Sequence, residues 1–293
     1  MASSTSSTPW CCRTEDQASA AATPWATRAW SFNDQAEGNM RVLMTGATGL
    51  IGKELGKSLA ARGDTLVCLV RDAQGARHRL PFPATCFEWD HQRAVPAEAL
   101  LEVDAIVHLA GEPVAEKRWT NEQKRLILDT RVLGTRRLVQ AVLNHGPDIK
   151  SFVQGSAIGF YGDRGDATLT AVSAKGTGFL ADVVEAWEAE LRPLTEQRPD
   201  VRAAIVRTGI VLARHGGALA KMLPMFRESA AGRLGSGTQW MSWIHIDDIV
   251  GLFLHALDSR TVDVVEGVAP QPVTNREFTK SLCRALQVFE NAP

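Results

Sequence analysis

The sequence predicts an α/β fold, a doubly wound parallel sheet with a small C-terminal lobe. Three observations carry this expectation. The apolar run Met40–Thr45 leads straight into a glycine-rich turn and then into an amphipathic helix. Strand-like and helix-like segments then alternate as far as about Leu212, which is the order a parallel sheet requires. Beyond that point the pattern breaks into short helices and loops punctuated by Gly216, Gly217, Gly232, Gly235 and Gly237.

Each element has its own warrant. The turn Thr45-Gly46-Ala47-Thr48-Gly49-Leu50-Ile51-Gly52 spaces its glycines as a dinucleotide pocket needs them. Gly46 makes the sharp turn, Gly49 lets the backbone approach a pyrophosphate, and Gly52 lets the helix pack closely on the strand. The helix start then directs free N–H groups and a positive dipole end at the phosphates. Lys53 to Arg62 puts Leu55, Leu59 and Ala60 on one face, Gly63 closes the helix, and Thr65 to Val70 resumes as a buried strand. Ala105 to Gly111 reads as another inner strand, with a long helix over Leu126 to Leu143. Phe152 to Ser156 and Ala203 to Arg207 are two more strands, separated by a helix around Phe179 to Leu191. Trp243 to Asp248 starts an apolar helix, Ile249 to Leu257, that returns to the main sheet, with an Asp expected to cap its free N–H groups.

The expected organisation is a disordered N-terminal extension over 1–39, a Rossmann-type nucleotide domain over 40–212 to which 241–267 returns, and a partial lobe made of 213–240 and 268–293. Residues 1–39 are rich in Ser, Thr and Ala, with Trp10, Trp25 and Trp30 in no helical register. They carry Arg13 and Arg28 against Glu15, Asp16, Asp34 and Glu37, a poor balance for a transit peptide. The 293 residues are 45% hydrophobic, enough for a substantial core, and the formal charge of −1 gives neither nucleic acid nor an acidic membrane a reason to bind. Five scattered cysteines form neither a disulfide framework nor a zinc spacing. A reducing compartment fits, so the expected location is the cytoplasm, or a plastid or mitochondrion if 1–39 is a targeting segment. No apolar run approaches the roughly 18 residues that span a bilayer.

The glycine turn, together with His108-Leu109-Ala110-Gly111-Glu112, Arg207-Thr208-Gly209-Ile210-Val211-Leu212 and Trp243-Ile244-His245-Ile246-Asp247-Asp248, resembles the extended short-chain dehydrogenases. Within them the chain resembles the atypical epimerase family proteins, a group that includes the bacterial YfcH type and short-chain dehydrogenase family 39U. The resemblance runs from Met40 to the C-terminus. It implies an NADP(H)-binding, epimerase-like oxidoreductase acting on an unidentified small molecule, in some relatives as a homodimer. Members of this group usually continue some tens of residues further, so the substrate lobe is expected to be truncated. Plant members linked to plastid division imply a second possibility, a non-catalytic NADP-bound scaffold or redox sensor that acts through a protein partner.

Cofactor choice rests on the end of the second strand, where an acidic side chain would hold a ribose diol. That position falls on Val70, with Arg71 next. The Arg71 guanidinium either pairs with a 2′-phosphate or is a solvated side chain countered by Asp72. The resemblance favours NADP. It also implies that Leu109 and Ala110 lie against the adenosine or ribose, that Arg131 faces the cofactor, and that Val211 closes over the nicotinamide. Cofactor candidates are therefore Gly46, Thr48, Gly49, Leu50, Ile51, Gly52, Arg71, Leu109, Ala110, Arg131 and Val211.

Catalysis departs from the family pattern. Ser156 stands where the substrate-orienting Ser or Thr should be, but Phe179 and Val183 occupy the places of the Tyr and Lys that transfer the proton, and neither side chain can do so. The chain has one tyrosine, Tyr161, with Gly165 four residues on. Ser156 and Tyr161 are the catalytic candidates. His108, inside an apolar run, reads as a core residue, and His245 with Asp247 and Asp248 reads as a helix start and not as a metal site.

Overall fold

The computed structural model describes residues 39–228, 232–259 and 263–290. The N-terminal extension expected over 1–39 lies outside them except for its last residue. The first βαβ unit is β1 (Arg41–Thr45), α1 (Leu50–Arg62) and β2 (Thr65–Val70). Gly63 at φ 96° takes the left-handed conformation that ends α1, and its N–H bonds the Ala60 and Leu59 carbonyls. A short helix α2 (Ala73–Arg79) leads to β3 (Thr85–Glu88). Then follow β4 (Ala105–His108), the long α3 (Asn121–His145), β5 (Ser151–Ala157), α4 (Phe179–Ala189), α5 (Arg192–Gln197) and β6 (Arg202–Thr208).

The chain next leaves the main sheet. β7 (Ile210–Ala213) and α6 (Gly217–Arg227) precede β8 (Trp240–Met241), β9 (Trp243–His245) and α7 (Ile246–Asp258). It then returns as β10 (Val264–Gly267), before β11 (Val273–Thr274) and α8 (Asn275–Leu286). The main sheet has seven strands in the order β10-β6-β5-β4-β1-β2-β3, every neighbouring pair parallel. Strand order reverses between β1 and β4, so the carboxyl edge opens there into the crevice where such sheets take ligands.

Alternate residues of the inner strands supply the two faces. Val42 and Met44 join Leu55, Leu59, Ile249 and Phe253 under α1 and α7, whereas Leu43 joins Ile106, Leu138, Val142 and Phe152 under α3. Outside the main sheet, β7 pairs parallel with β9 and β8 antiparallel with β11. There α6 and α8 share an apolar cluster of Phe226 and Cys283 with Met222, Leu282 and Leu286. A capping box, Thr274 with Glu277, starts α8.

Three expectations change. The strand expected over Ala105–Gly111 stops at His108, because the Thr45 hydroxyl takes the next two amides, Leu109 and Ala110, at 3.2 and 3.1 Å. The helix expected from Leu126 begins at Asn121, where the Thr120 side chain accepts from Gln123 N–H. The cap of α7 is His245, whose Nδ1 accepts the Asp247 N–H at 3.3 Å, and not an Asp; Asp247 and Asp248 instead lie in the first turn, where the helix dipole favours negative charge.

Candidate functional site

At the reversal point Gly46 has φ +69°, and a Cβ there would lie 2.7 Å from the Leu109 carbonyl carbon. A Cβ at Gly52 would lie 2.3 Å from the Gly46 oxygen. Both positions therefore admit only glycine: the first brings the turn against the Leu109–Ala110 backbone, the second brings α1 down onto the turn. Thr48 and Gly49 are exposed at the mouth. Gly49 is the N-cap of α1, with no side-chain cap and no acid in the first turn, so the helix start keeps its donors for a ligand. Leu50 touches the Gly216-Gly217 turn, where a Cβ on either glycine would come within 2.9 Å of its methyl groups. Val211 is half-buried in β7 beside Ile244, and Ile51 packs on the core beneath.

Arg71 is exposed at the end of β2, and no hydrogen bond or ion pair engages it among the described residues. Asp72 does not counter it. That carboxylate caps α2 by accepting the Gly75 N–H at 2.8 Å and meets Arg79 at 3.4 Å. The charge of Arg71 is felt across the crevice by Glu112. Burial would raise the Glu112 carboxyl, but hydrogen bonds from Lys117 and Gln123 and the charges of Lys117 and Arg71 hold it below the usual range.

Arg131 lies beside the same loop. Its Nη1 donates to the Glu112 carbonyl at 2.9 Å and the Ile127 carbonyl at 3.1 Å, and its guanidinium sits 5.2 Å from the Trp187 ring centre. Burial lowers its pKa to about 10, partly offset by Glu112. Beneath it runs a chain of buried polar groups that the sequence did not single out as a unit. The Thr45 hydroxyl meets His108 Nδ1 at 2.7 Å, and His108 Nε2 meets the Thr135 hydroxyl at 3.0 Å. Thr135 also accepts the Trp187 indole N–H at 2.9 Å and donates to the Arg131 carbonyl at 2.8 Å. His108 is fully buried, as its apolar surroundings led us to expect, and burial followed by the charge of Arg131 lowers its pKa to about 4.

The two catalytic candidates meet in one buried ion cluster. Ser156 donates to Glu188 Oε1 at 2.6 Å. Arg207, 4% exposed, donates to both Glu188 oxygens at 2.9 and 2.8 Å and to the Tyr161 hydroxyl at 2.8 Å, with its guanidinium 3.6 Å from the Phe160 ring centre. The Tyr161 hydroxyl also meets Glu266 and, at 3.0 Å, the Thr170 carbonyl. Burial first, then the Glu266 bond, push Tyr161 up to about 12 against the opposing effect of Arg207. Such a phenol is a poor proton acceptor near neutrality. Long-range pairing built this cluster, and only its Ser and Tyr were legible beforehand; Glu188 and Glu266 carried no local signal.

At the places expected for the family Tyr and Lys, Phe179 is the first residue of α4 and Val183 is buried. Lys175 is held by Asp182 at 2.8 Å and Glu185 at 2.7 Å. A cavity of about 450 Å³ opens beside the buried ion cluster, lined by Phe160, Glu188, Arg192, Ile205 and Val264, and none of the predicted site residues lines it. Among the described residues no cluster of three potential metal ligands occurs, and no helix is long and apolar enough to cross a membrane.

Comparison with known proteins agrees with this geometry. The NAD dependent epimerase/dehydratase family matches residues 42–267. The epimerase family protein Mb2239 of Mycobacterium bovis is 36% identical over 249 residues, covering 85% of this chain and 79% of that protein. The crystal structure of the human epimerase family protein SDR39U1, solved with NADPH, superposes with a TM-score of 0.73 at 32% identity, over 85% of this chain and 81% of that one. A nucleoside-diphosphate sugar epimerase structure from Corynebacterium glutamicum gives a TM-score of 0.73 at 33% identity, over 86% of this chain; the chain spans about half, 52%, of that longer protein.

Proposed function

The chain belongs to the NAD dependent epimerase/dehydratase family, and from that premise we propose that it is an NADP(H)-binding, epimerase-like oxidoreductase of a small-molecule substrate. One observation carries the cofactor: a glycine-only cradle opens at an uncapped helix start, with Arg71 exposed at the neighbouring strand end and unpaired among the described residues. The presence of NADPH in the human relative's structure supports it. Gly46, Thr48, Gly49, Leu50, Ile51 and Gly52 would hold the pyrophosphate, and Arg71 the 2′-phosphate. Leu109, Ala110, Arg131 and Val211 would lie along the rest of the cofactor. When bound, the nicotinamide supplies a hydride donor or acceptor. The protein's part is to orient the substrate and exclude water, because Phe179 and Val183 move no proton. Ser156, Tyr161 or an ordered water would have to do so instead.

Titration with NADPH and NADH in parallel, followed by nicotinamide fluorescence, tests the reading. Arg71→Ala should weaken NADPH by about tenfold or more, the worth of a charge-assisted phosphate contact, and leave NADH unchanged. Equal binding of the two cofactors by the parent chain would overturn the Arg71 assignment.

The closed state of the ion cluster favours a second reading, a non-catalytic NADP-bound scaffold or redox sensor that acts through a protein partner. Ser156 and Tyr161 spend their hydroxyls on Glu188, Glu266 and Thr170. Carbonyl or sugar-nucleotide reduction that disappears in Ser156→Ala or Tyr161→Phe would sink this alternative, and persistent NADPH occupancy without turnover would favour it.

A further inference from the structure

Three side chains gather where the proton-transferring pair is missing. Trp119, 40% exposed, meets the Phe179 ring edge to face at 5.3 Å between centres and 67° between planes. Lys124, in the first turns of α3, sets its ammonium 5.5 Å from the Phe179 ring centre. The indole N–H of Trp119 is already spent on the Val114 carbonyl at 2.7 Å, so what the side chain offers a ligand is its ring. Among the described residues no carboxylate lies within ion-pair distance of Lys124, although the nearby Lys117 and Lys175 are both paired. The contrast is local: among the described residues Lys124 has no carboxylate partner, and its ammonium rests over the half-buried Phe179 ring beside the exposed Trp119 ring.

Position turns this group towards the crevice. Phe179 begins α4 and Lys124 lies near the beginning of α3, both helices that start at the carboxyl edge of the parallel sheet. Lys124 and Arg131 are seven residues apart, so they share one stripe of α3 about 10.5 Å apart along its axis. Arg131 approaches Gly111 closely and bonds the Glu112 carbonyl, which places this stripe next to the loop that follows β4.

We propose that Trp119, Phe179 and Lys124 form a substrate subsite for an anionic ring compound, its carbon ring against the Trp119 and Phe179 rings and its carboxylate or phosphate on Lys124. The inference rests on the reading above only in naming the ligand a substrate. An aromatic pair with no free N–H or O–H recognises ring faces, and a cation over an aromatic face supplies the charge that selects an anion. A side chain that elsewhere carries a reactive hydroxyl is here a bare ring, so the position contributes binding in place of proton transfer.

The test is calorimetric titration of phenyl phosphate, benzoate and benzyl alcohol into the chain, with and without NADPH. The expected result is that one or both anions bind about tenfold or more tightly than the neutral alcohol. Lys124→Met should abolish that preference, and Trp119→Ala should weaken all three probes. The two anions tell a phosphate-selective from a carboxylate-selective subsite. NADPH affinity, read separately by fluorescence, should stay within about twofold in both variants. Equal binding of anions and alcohol, a preference that survives Lys124→Met, or no binding of any probe at millimolar concentration would overturn the proposal. Failure of NADPH to bind, with the probe preference intact, would overturn the cofactor reading alone.

Discussion

The Thr45 hydroxyl accepts two amide hydrogens, from Leu109 and Ala110, so its own hydrogen goes to His108 Nδ1. His108 must then carry its proton on Nε2 and donate to Thr135, which passes its own hydrogen to the Arg131 carbonyl. Every group in the chain is satisfied with a neutral imidazole, and a second ring proton would face Thr45 with no acceptor. The folded value of about 4 lies below the ordinary 6.5. Between those values the unfolded chain binds a proton that the folded chain refuses, so stability falls as pH drops through that window, by roughly 3 kcal/mol from this residue. Denaturant unfolding at stepped pH should show the loss, and His108→Gln should flatten it. A similar count applies to Tyr161, whose single hydrogen faces two acceptors, Thr170 and Glu266. Burial raises the Glu266 carboxyl above its usual range, against the opposing Tyr161 bond and Arg207 charge. Glu188→Ala, which leaves Arg207 buried without its bidentate partner, should cost about 3–5 kcal/mol in denaturant unfolding.

At the scale of the element, the first βαβ unit is where local chemistry and tertiary packing agree most closely. Gly52→Ala would drive a methyl group into the Gly46 oxygen, and the expected outcome is displacement of α1, a lower melting temperature and loss of NADPH binding in the same fluorescence titration. Half-buried Gly251 on α7, with nothing near its would-be Cβ, is the matched control, and Gly251→Ala should be neutral or slightly stabilising. The same contrast explains what could be read in advance. Strands β1, β2, β4 and β5 are mainly apolar runs buried on both faces, β6 is half-buried on one of its faces, and helical periodicity separates them, so their order is written locally. By contrast α2 is polar and seven residues long, and β3 is an edge strand of four residues with Cys86 as its buried member, so neither leaves a periodic signature. The pairing of β7 with β9 joins segments about thirty residues apart through strands of four and three residues, too short to announce a partner. In the site, the glycine cradle is legible because glycine has one physical role there. The Arg207 cluster is not, because its acids come from α4 and β10, brought together only by the sheet order.

On the scale of the whole molecule, cofactor binding and stability are one linked quantity. At a hundredfold excess of NADPH over its dissociation constant, binding to the folded state alone should add about 2.7 kcal/mol. For a chain of this size that is a rise in melting temperature of several degrees, and scanning fluorimetry should show less of it with NADPH in Arg71→Ala. The bond between Ile210 N–H and the Ser242 carbonyl, at 2.8 Å, bears on a different property. Gly209, whose Cβ would stand 2.5 Å from that same carbonyl oxygen, lets the backbone leaving the main sheet after β6 touch the backbone between β8 and β9. Everything between is thus a closed excursion with its two stems side by side, and the entropy of closing such an excursion grows only with the logarithm of its length. A change in the length of the connection between these stems should therefore cost little and leave the seven strands in register, provided that the contacts of Gly216 and Gly217 with Leu50 and of Phe226 with Cys283 are kept.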